Sequence, residues 1–109
     1  MNLLSLEDEK LKKVEVNGYK FTIRFISPRD RILISQRRVS LNPAPIECLT
    51  EFEFMYSENI AIVDICVEEM PKEFKDYESS KYWIDEDLIL GVSEEIKKHT
   101  NEQRLFRAD

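Results

Sequence analysis

Two cysteines, one histidine and 22 carboxylates set against 16 lysines and arginines are the side chains of this 109-residue chain that could do chemistry. A cysteine nucleophile needs a base within reach, and His99 is the sole imidazole that could supply one. Cys48 and Cys66 both fall in one stretch of helical spacing, where free cysteines act as small buried hydrophobes. On a single helix they would stand about 27 Å apart, too far for a disulfide, and free thiols fit a reducing cytosol. A zinc site from Cys48, Cys66, His99 and a carboxylate would need unusual, widely spaced ligands. Glu51, Glu53, Glu58, Glu68 and Glu69 lie along the same helical pattern and read as a solvated face, not as a paired-acid site. Asp64 interrupts the apolar run from Ile60 to Val67 and reads as an exposed edge position in preference to a buried, hydrogen-bonded acid. None of these constellations points to an enzyme, and no cofactor or metal is expected.

The arginines Arg29, Arg31, Arg37 and Arg38 form the other cluster, and phosphate neutralisation would be its obvious use. The rest of the chain argues against nucleic acid. Residues 1–45 carry nine basic and five acidic groups, and residues 46–109 carry seven basic and 17 acidic ones. The two segments thus stand at +4 and −10, a charge dipole that suits homo-oligomer formation or an acidic partner. Only two glycines are present, where average usage predicts about eight, so phosphate-cradling loops are effectively ruled out. At 42% apolar and 35% charged the chain predicts a soluble domain with a wet surface. The opening Met1-Asn2-Leu3-Leu4-Ser5-Leu6 meets Glu7, Asp8 and Glu9 before it could become a signal-peptide core. The run from Ile60 to Val67, broken by Asp64, falls far short of the roughly 20 residues that span a bilayer, so no membrane role is expected.

These residues must be held by a single helix-rich α+β domain: an N-terminal β-hairpin followed by three main α-helices. Val14 and Val16, then Tyr19, Phe21, Ile23 and Phe25, alternate with polar neighbours across Asn17-Gly18, which predicts a hairpin over 13–26. Ser27-Pro28-Arg29-Asp30 reads as a capped helix start, and a helix is expected over about 28–39 with Ile32, Leu33, Ile34 and Val39 facing inward. Asn42-Pro43-Ala44-Pro45 ends it. The longest helical pattern runs over 46–70, with Phe52, Met55, Tyr56, Asn59, Ile62, Val63, Cys66, Val67 and Met70 at threes and fours and its middle buried on two sides. Residues 72–84 suit a loop pinned by Phe74, Tyr82 and Trp83. Asp85 caps a last helix over 86–98, with Ile84 stapled to Ile89, Leu88, Val92 and Ile96 inward, and Lys97, Lys98 and His99 in its final turn. Residues 1–12 are left as an arm, 13–99 form the domain, and 100–109 are expected to be a flexible tail with only Leu105 and Phe106 to bury.

The Val-Glu-Val-Asn-Gly-Tyr-Lys-Phe-Thr-Ile-Arg-Phe hairpin, the Ser-Pro-Arg-Asp helix start, the run Ile60-Ala61-Ile62-Val63-Asp64-Ile65-Cys66-Val67, and Trp83-Ile84-Asp85-Glu86-Asp87-Leu88 before the last helix together resemble the small tail assembly chaperones of long-tailed bacteriophages. The likeness is one of layout and size over residues 13–99. It implies a non-enzymatic protein of the host cell cytoplasm that binds the tape measure protein and helps recruit tail tube subunits. An amphipathic tape-measure helix is then expected in a groove between hairpin and long helix, with Tyr19, Arg29, Arg37 and Arg38 as exposed partner-binding residues. The competing class is a small acidic regulatory or inhibitory protein whose carboxylate face imitates nucleic acid and blocks a host nucleic-acid-binding protein.

Overall fold

Asn17 and Gly18 both take positive φ, 51° and 84°, the backbone a two-residue hairpin turn of matching twist requires. They join β1 (Leu11–Val16) to β2 (Tyr19–Arg24) in a register that pairs Val16 with Tyr19 and Leu11 with Arg24. The hairpin therefore lies two residues nearer the N-terminus than 13–26. Its inward side chains, Phe21 and Ile23 on β2, are fully buried. The computed structural model describes residues 11–83 and 85–107. Most of the expected N-terminal arm, the Ile84 staple, Ala108, Asp109, and the side chains of Leu105 and Phe106 lie outside the described residues.

Helix α1 spans Pro28–Leu41 and starts as its sequence dictates: the Ser27 side chain accepts from the Asp30 N–H while the Asp30 carboxylate accepts from the Ser27 N–H. Its inward face is narrower than expected. Ile34 is buried, whereas Ile32 is 62% exposed and Val39 is exposed as well.

The stretch 46–70 is not one helix. Pro45 is followed by a short 3-10 turn (Ile46–Cys48), and α2 proper is Glu51–Cys66. Thr50 and Glu53 form the reciprocal capping box that starts it, a Thr-x-x-Glu signal present in the sequence but masked by the longer periodicity. The helix stops at Cys66 because the next three residues have another partner. Val67–Glu69 form β3, antiparallel to β2, with Ile23 opposite Val67, Thr22 opposite Glu69 and a register shift between them. The free edge of β2 needs backbone partners, and tertiary pairing outweighs the weak helix preference of a β-branched valine. The sheet order is β1-β2-β3.

Helix α3 spans Glu86–Arg107, so the helix expected to end near Lys98 continues nine residues farther. No Gly or Pro follows to stop it. His99 and Thr100 are buried, and the Thr100 hydroxyl accepts from the Ile26 N–H at 2.8 Å while donating to the Ile96 carbonyl. That bond ties the helix to the segment joining hairpin and α1, and it places Lys97, Lys98 and His99 within the helix instead of in its last turn.

Helix α2 is the centre of the molecule, with α1 on one side and α3 on the other. Ile60, Ala61, Ile62 and Val63 are each at most 3% exposed, so every side of this turn is covered. Phe74 and Trp83, 4.7 Å apart between ring centroids, clamp the 70–85 segment over Phe21 and Tyr19, whereas Tyr82 is exposed and is not part of the clamp.

Gly91 marks a close approach of α3 to the hairpin, since a β-carbon there would stand 2.7 Å from Val16 Cγ1. Alanine improves helix propensity by about 1 kcal/mol, but overpacking against a stiff β-branched side chain costs about 1–3 kcal/mol. Gly91→Ala is therefore expected to lower stability in urea unfolding, and Val16→Ala in the same chain to recover part of the loss through relief of the clash.

Candidate functional site: an apolar groove between two helix N-termini

The polar side chains that could do chemistry are largely committed to holding elements together. Asp64 is a partly buried, hydrogen-bonded acid, not an exposed edge residue: it accepts from Ser79 Oγ at 2.6 Å, the Ser80 N–H at 2.7 Å and Arg37 Nε at 3.1 Å. One carboxylate thus joins α1, α2 and the 79–80 segment. Arg24 spans Asp30 at 2.8 Å and Glu68 at 2.5 Å, linking the hairpin to α1 and β3. Burial works against its charge, but Asp30 and then Glu68 outweigh that penalty and raise its pKa. Asn59 Oδ1 accepts from Ser93 Oγ at 2.8 Å and Lys97 Nζ at 3.1 Å, pinning α2 to α3.

This inventory redistributes the four expected partner-binding residues. Arg29 is exposed. Arg37 is spent on Asp64, and Arg38 is only 8% exposed with its guanidinium 4.9 Å over the Phe54 ring. Tyr19 is half-buried, edge-on to Phe74 at 5.0 Å. Both arginines face inward because α1 packs on α2 along the very side that carries them, a contact the local sequence does not reveal.

The cysteines separate in the same way. Cys48 is exposed on its 3-10 turn, and Cys66 is buried at the end of α2. Burial, with Asp30 adding to it and Arg24 opposing, pushes the Cys66 thiol up to about 12, the reverse of a reactive nucleophile. His99 packs edge-on against Phe25 at 5.9 Å. Among the described residues no three His, Cys, Asp or Glu side chains are grouped to hold a metal ion, and no helix is long and apolar enough to cross a membrane.

Apolar surface left open lies elsewhere. Helices α2 and α3 run in the same direction, with their first turns lining one groove and Asn59 meeting Ser93 and Lys97 farther along; the groove holds about 520 Å³, within the range of ordinary ligand clefts. Its floor and walls are Phe52, Met55, Tyr56 and Asn59 from α2 and Ile89 and Leu90 from α3. Phe52 is 69% exposed, Met55 47% and Leu90 43%, although helical periodicity had assigned the first two to a buried face. Phe52 stacks on Tyr56 at 5.7 Å, which fixes both rings. Glu51, Glu86 and Asp87 form the rim, and none of the described lining residues is basic. Partial burial and then the charge of Glu86 raise the Tyr56 phenol pKa.

The groove expected between hairpin and long helix takes a different form. A broader depression of about 730 Å³ lies over the hairpin, bounded by Lys13, Glu15, Tyr19, Lys20, Met70 and Glu73 among others, with charges of both signs and no arginine in its lining.

No protein-family model matches the chain, and neither comparison with curated proteins nor comparison with solved structures gives a match.

Two measurements check the assignments above. Asp64→Ala leaves Ser79, the Ser80 N–H and Arg37 without their acceptor and is expected to cost about 3 kcal/mol in urea unfolding, whereas Arg37→Met, at a partly exposed group, costs about 1 kcal/mol. For Cys66, below its ordinary pKa of 9.0 the thiol is neutral in both folded and unfolded chains. Above that value the unfolded thiol ionises while the folded one does not until about 12, so stability falls as pH rises through this window. Cys66→Ala is expected to flatten that fall, as read by urea midpoints from pH 8 upward.

Proposed function

We propose that this chain is a non-enzymatic tail assembly chaperone that holds a helical segment of the tape measure protein and helps recruit tail tube subunits. The observation that carries the reading is the α2–α3 groove, where Phe52, Met55 and Leu90 remain open to solvent side by side. Isolated exposed apolar residues need no explanation, but a contiguous set on two rigid helices with an ionic rim is a feature of helix-binding grooves. The choice of the tape measure protein as partner rests on the resemblance stated above. Asp64, Arg37, Arg24 and Asn59 are used internally, consistent with a scaffold whose work is binding.

A second reading draws on the rim itself. Glu51, Glu53, Asp85, Glu86 and Asp87 are all exposed within one turn of the two helix starts, and a small acidic inhibitor would present such a surface to a basic host protein.

Co-expression of the chain with the tape measure protein proposed as its partner, followed by size-exclusion chromatography, separates the two. The chaperone reading expects a stable complex that Phe52→Ala weakens by about tenfold, the ordinary loss for an anchoring aromatic. An absence of any complex, or a complex indifferent to Phe52→Ala, removes the chaperone reading.

A further inference from the structure

The charge around the groove is more selective than its apolar floor. Two parallel helices bring two N-termini to one end, and each contributes about half a positive charge from its backbone dipole. Five exposed carboxylates, Glu51, Glu53, Asp85, Glu86 and Asp87, stand in the same turns. Two of them serve the helices directly: Glu53 accepts from the Thr50 N–H and hydroxyl, and Asp85 accepts from the N–H groups of Asp87 and Leu88. All five are exposed, so the dipoles offset about one charge in five at this end of the molecule, where Glu51, Glu86 and Asp87 form the groove rim. An acidic or neutral helix would leave these carboxylates without a partner, while one with cations beside its apolar stripe would satisfy both parts of the site.

Resting on the reading of the groove as a helix-binding site, we infer that its occupant is a cationic amphipathic helix, with apolar side chains seated over Phe52, Met55 and Leu90 and lysines or arginines reaching Glu51, Glu86 and Asp87. The α2 wall, from Phe52 to Asn59, covers two helical turns, about 10 Å at 1.5 Å per residue, so apolar anchors spaced i, i+3 or i+4, and i+7 match it. The α1 face of a second copy is a poorer occupant. Its exposed stripe holds Ile32 and Val39 with Arg29 and Arg31, since Arg37 and Arg38 are turned to Asp64 and Phe54. Two β-branched side chains and two cations leave most of the floor and most of the rim unmatched.

The test uses two synthetic peptides of about 18 residues, long enough to form helix, with leucines at identical positions and either lysine or glutamate on the flanks. Binding to the full chain is followed by fluorescence anisotropy at about 20 and about 300 mM salt, which changes the Debye length severalfold. The lysine peptide is expected to bind and to weaken as salt rises, and the glutamate peptide not to bind. The triple variant E51Q/E86Q/D87N should lose about tenfold in affinity for the lysine peptide at low salt and much of its salt dependence. The double variant F52S/L90S should lose binding at both salts while keeping the wild-type circular dichroism spectrum. Equal binding of the two peptides, undiminished binding by the triple variant, or retention by F52S/L90S would overturn the inference, the last by showing adhesion to net negative charge alone. Salt-sensitive self-association abolished by Ile32→Ser and displaced by the peptide would overturn it in favour of a second copy. Binding of the lysine peptide without a tape measure complex would leave this inference standing and remove the chaperone reading alone.

Discussion

The structure depends on covering the middle of α2 from every side. Ile60 to Val63 are consecutive and all buried, so no single neighbour can shield them. Burying four such side chains offers several kcal/mol of hydrophobic stabilisation, and it can be collected only if α1, α3 and the hairpin close around the helix together. The polar contacts follow from that geometry. Asp64 and Arg37 bind α1 to α2, Asn59 with Ser93 and Lys97 binds α2 to α3, and Arg24 ties the hairpin to Asp30 and Glu68. Each clamp sits at the margin of the apolar centre, where hydrogen bonds are shielded from water but the charged groups remain partly solvated.

The same constraint explains where binding capacity is left. The middle and C-terminal part of α2 are consumed by packing and by the turn into β3, so only its first two turns extend beyond the core. Because α3 runs in the same direction, its first turn extends there too. Their apolar residues, Phe52, Met55 and Leu90, stay exposed, and their carboxylates crowd the same end. Two of the four arginines of α1, the obvious candidates on charge alone, are engaged by Asp64 and Phe54. The groove gathers Phe52, Met55 and Leu90 in one place, whereas the basic helix exposes Ile32 and Val39.

Much of this architecture was legible from residues whose effect is local. Asn17-Gly18 between alternating strands could only be a hairpin, Ser27-Pro28-Arg29-Asp30 could only open a helix, and Asp85 before Glu86 and Asp87 marked another. The long periodic stretch 46–70 was less informative, because spacing at threes and fours continues through Val67 and Met70 although the helix ends at Cys66 and Val67–Glu69 are strand. Thr50 and Glu53 carried the true start in a four-residue signal. Extension of α3 beyond Lys98 could not be read, since the stabilising partner of Thr100 is the Ile26 N–H, 74 positions away.

What the amino-acid sequence determined by itself is the set of elements with local causes: turn residues with positive φ, side chains that cap their own helix, prolines that end one, and a net charge of −6 placed mostly in the second half. These depend on neighbours within about four positions, and the sequence displays such neighbours directly. Only the tertiary structure decided which sides of the helices were covered. Periodicity shows that Phe52, Met55 and Val63 share an apolar helix but not that Val63 is buried while Phe52 and Met55 are exposed. Composition shows four arginines but not that Asp64 and Phe54 claim two of them. Burial is a property of pairs of surfaces, and one strand of sequence specifies only one surface at a time.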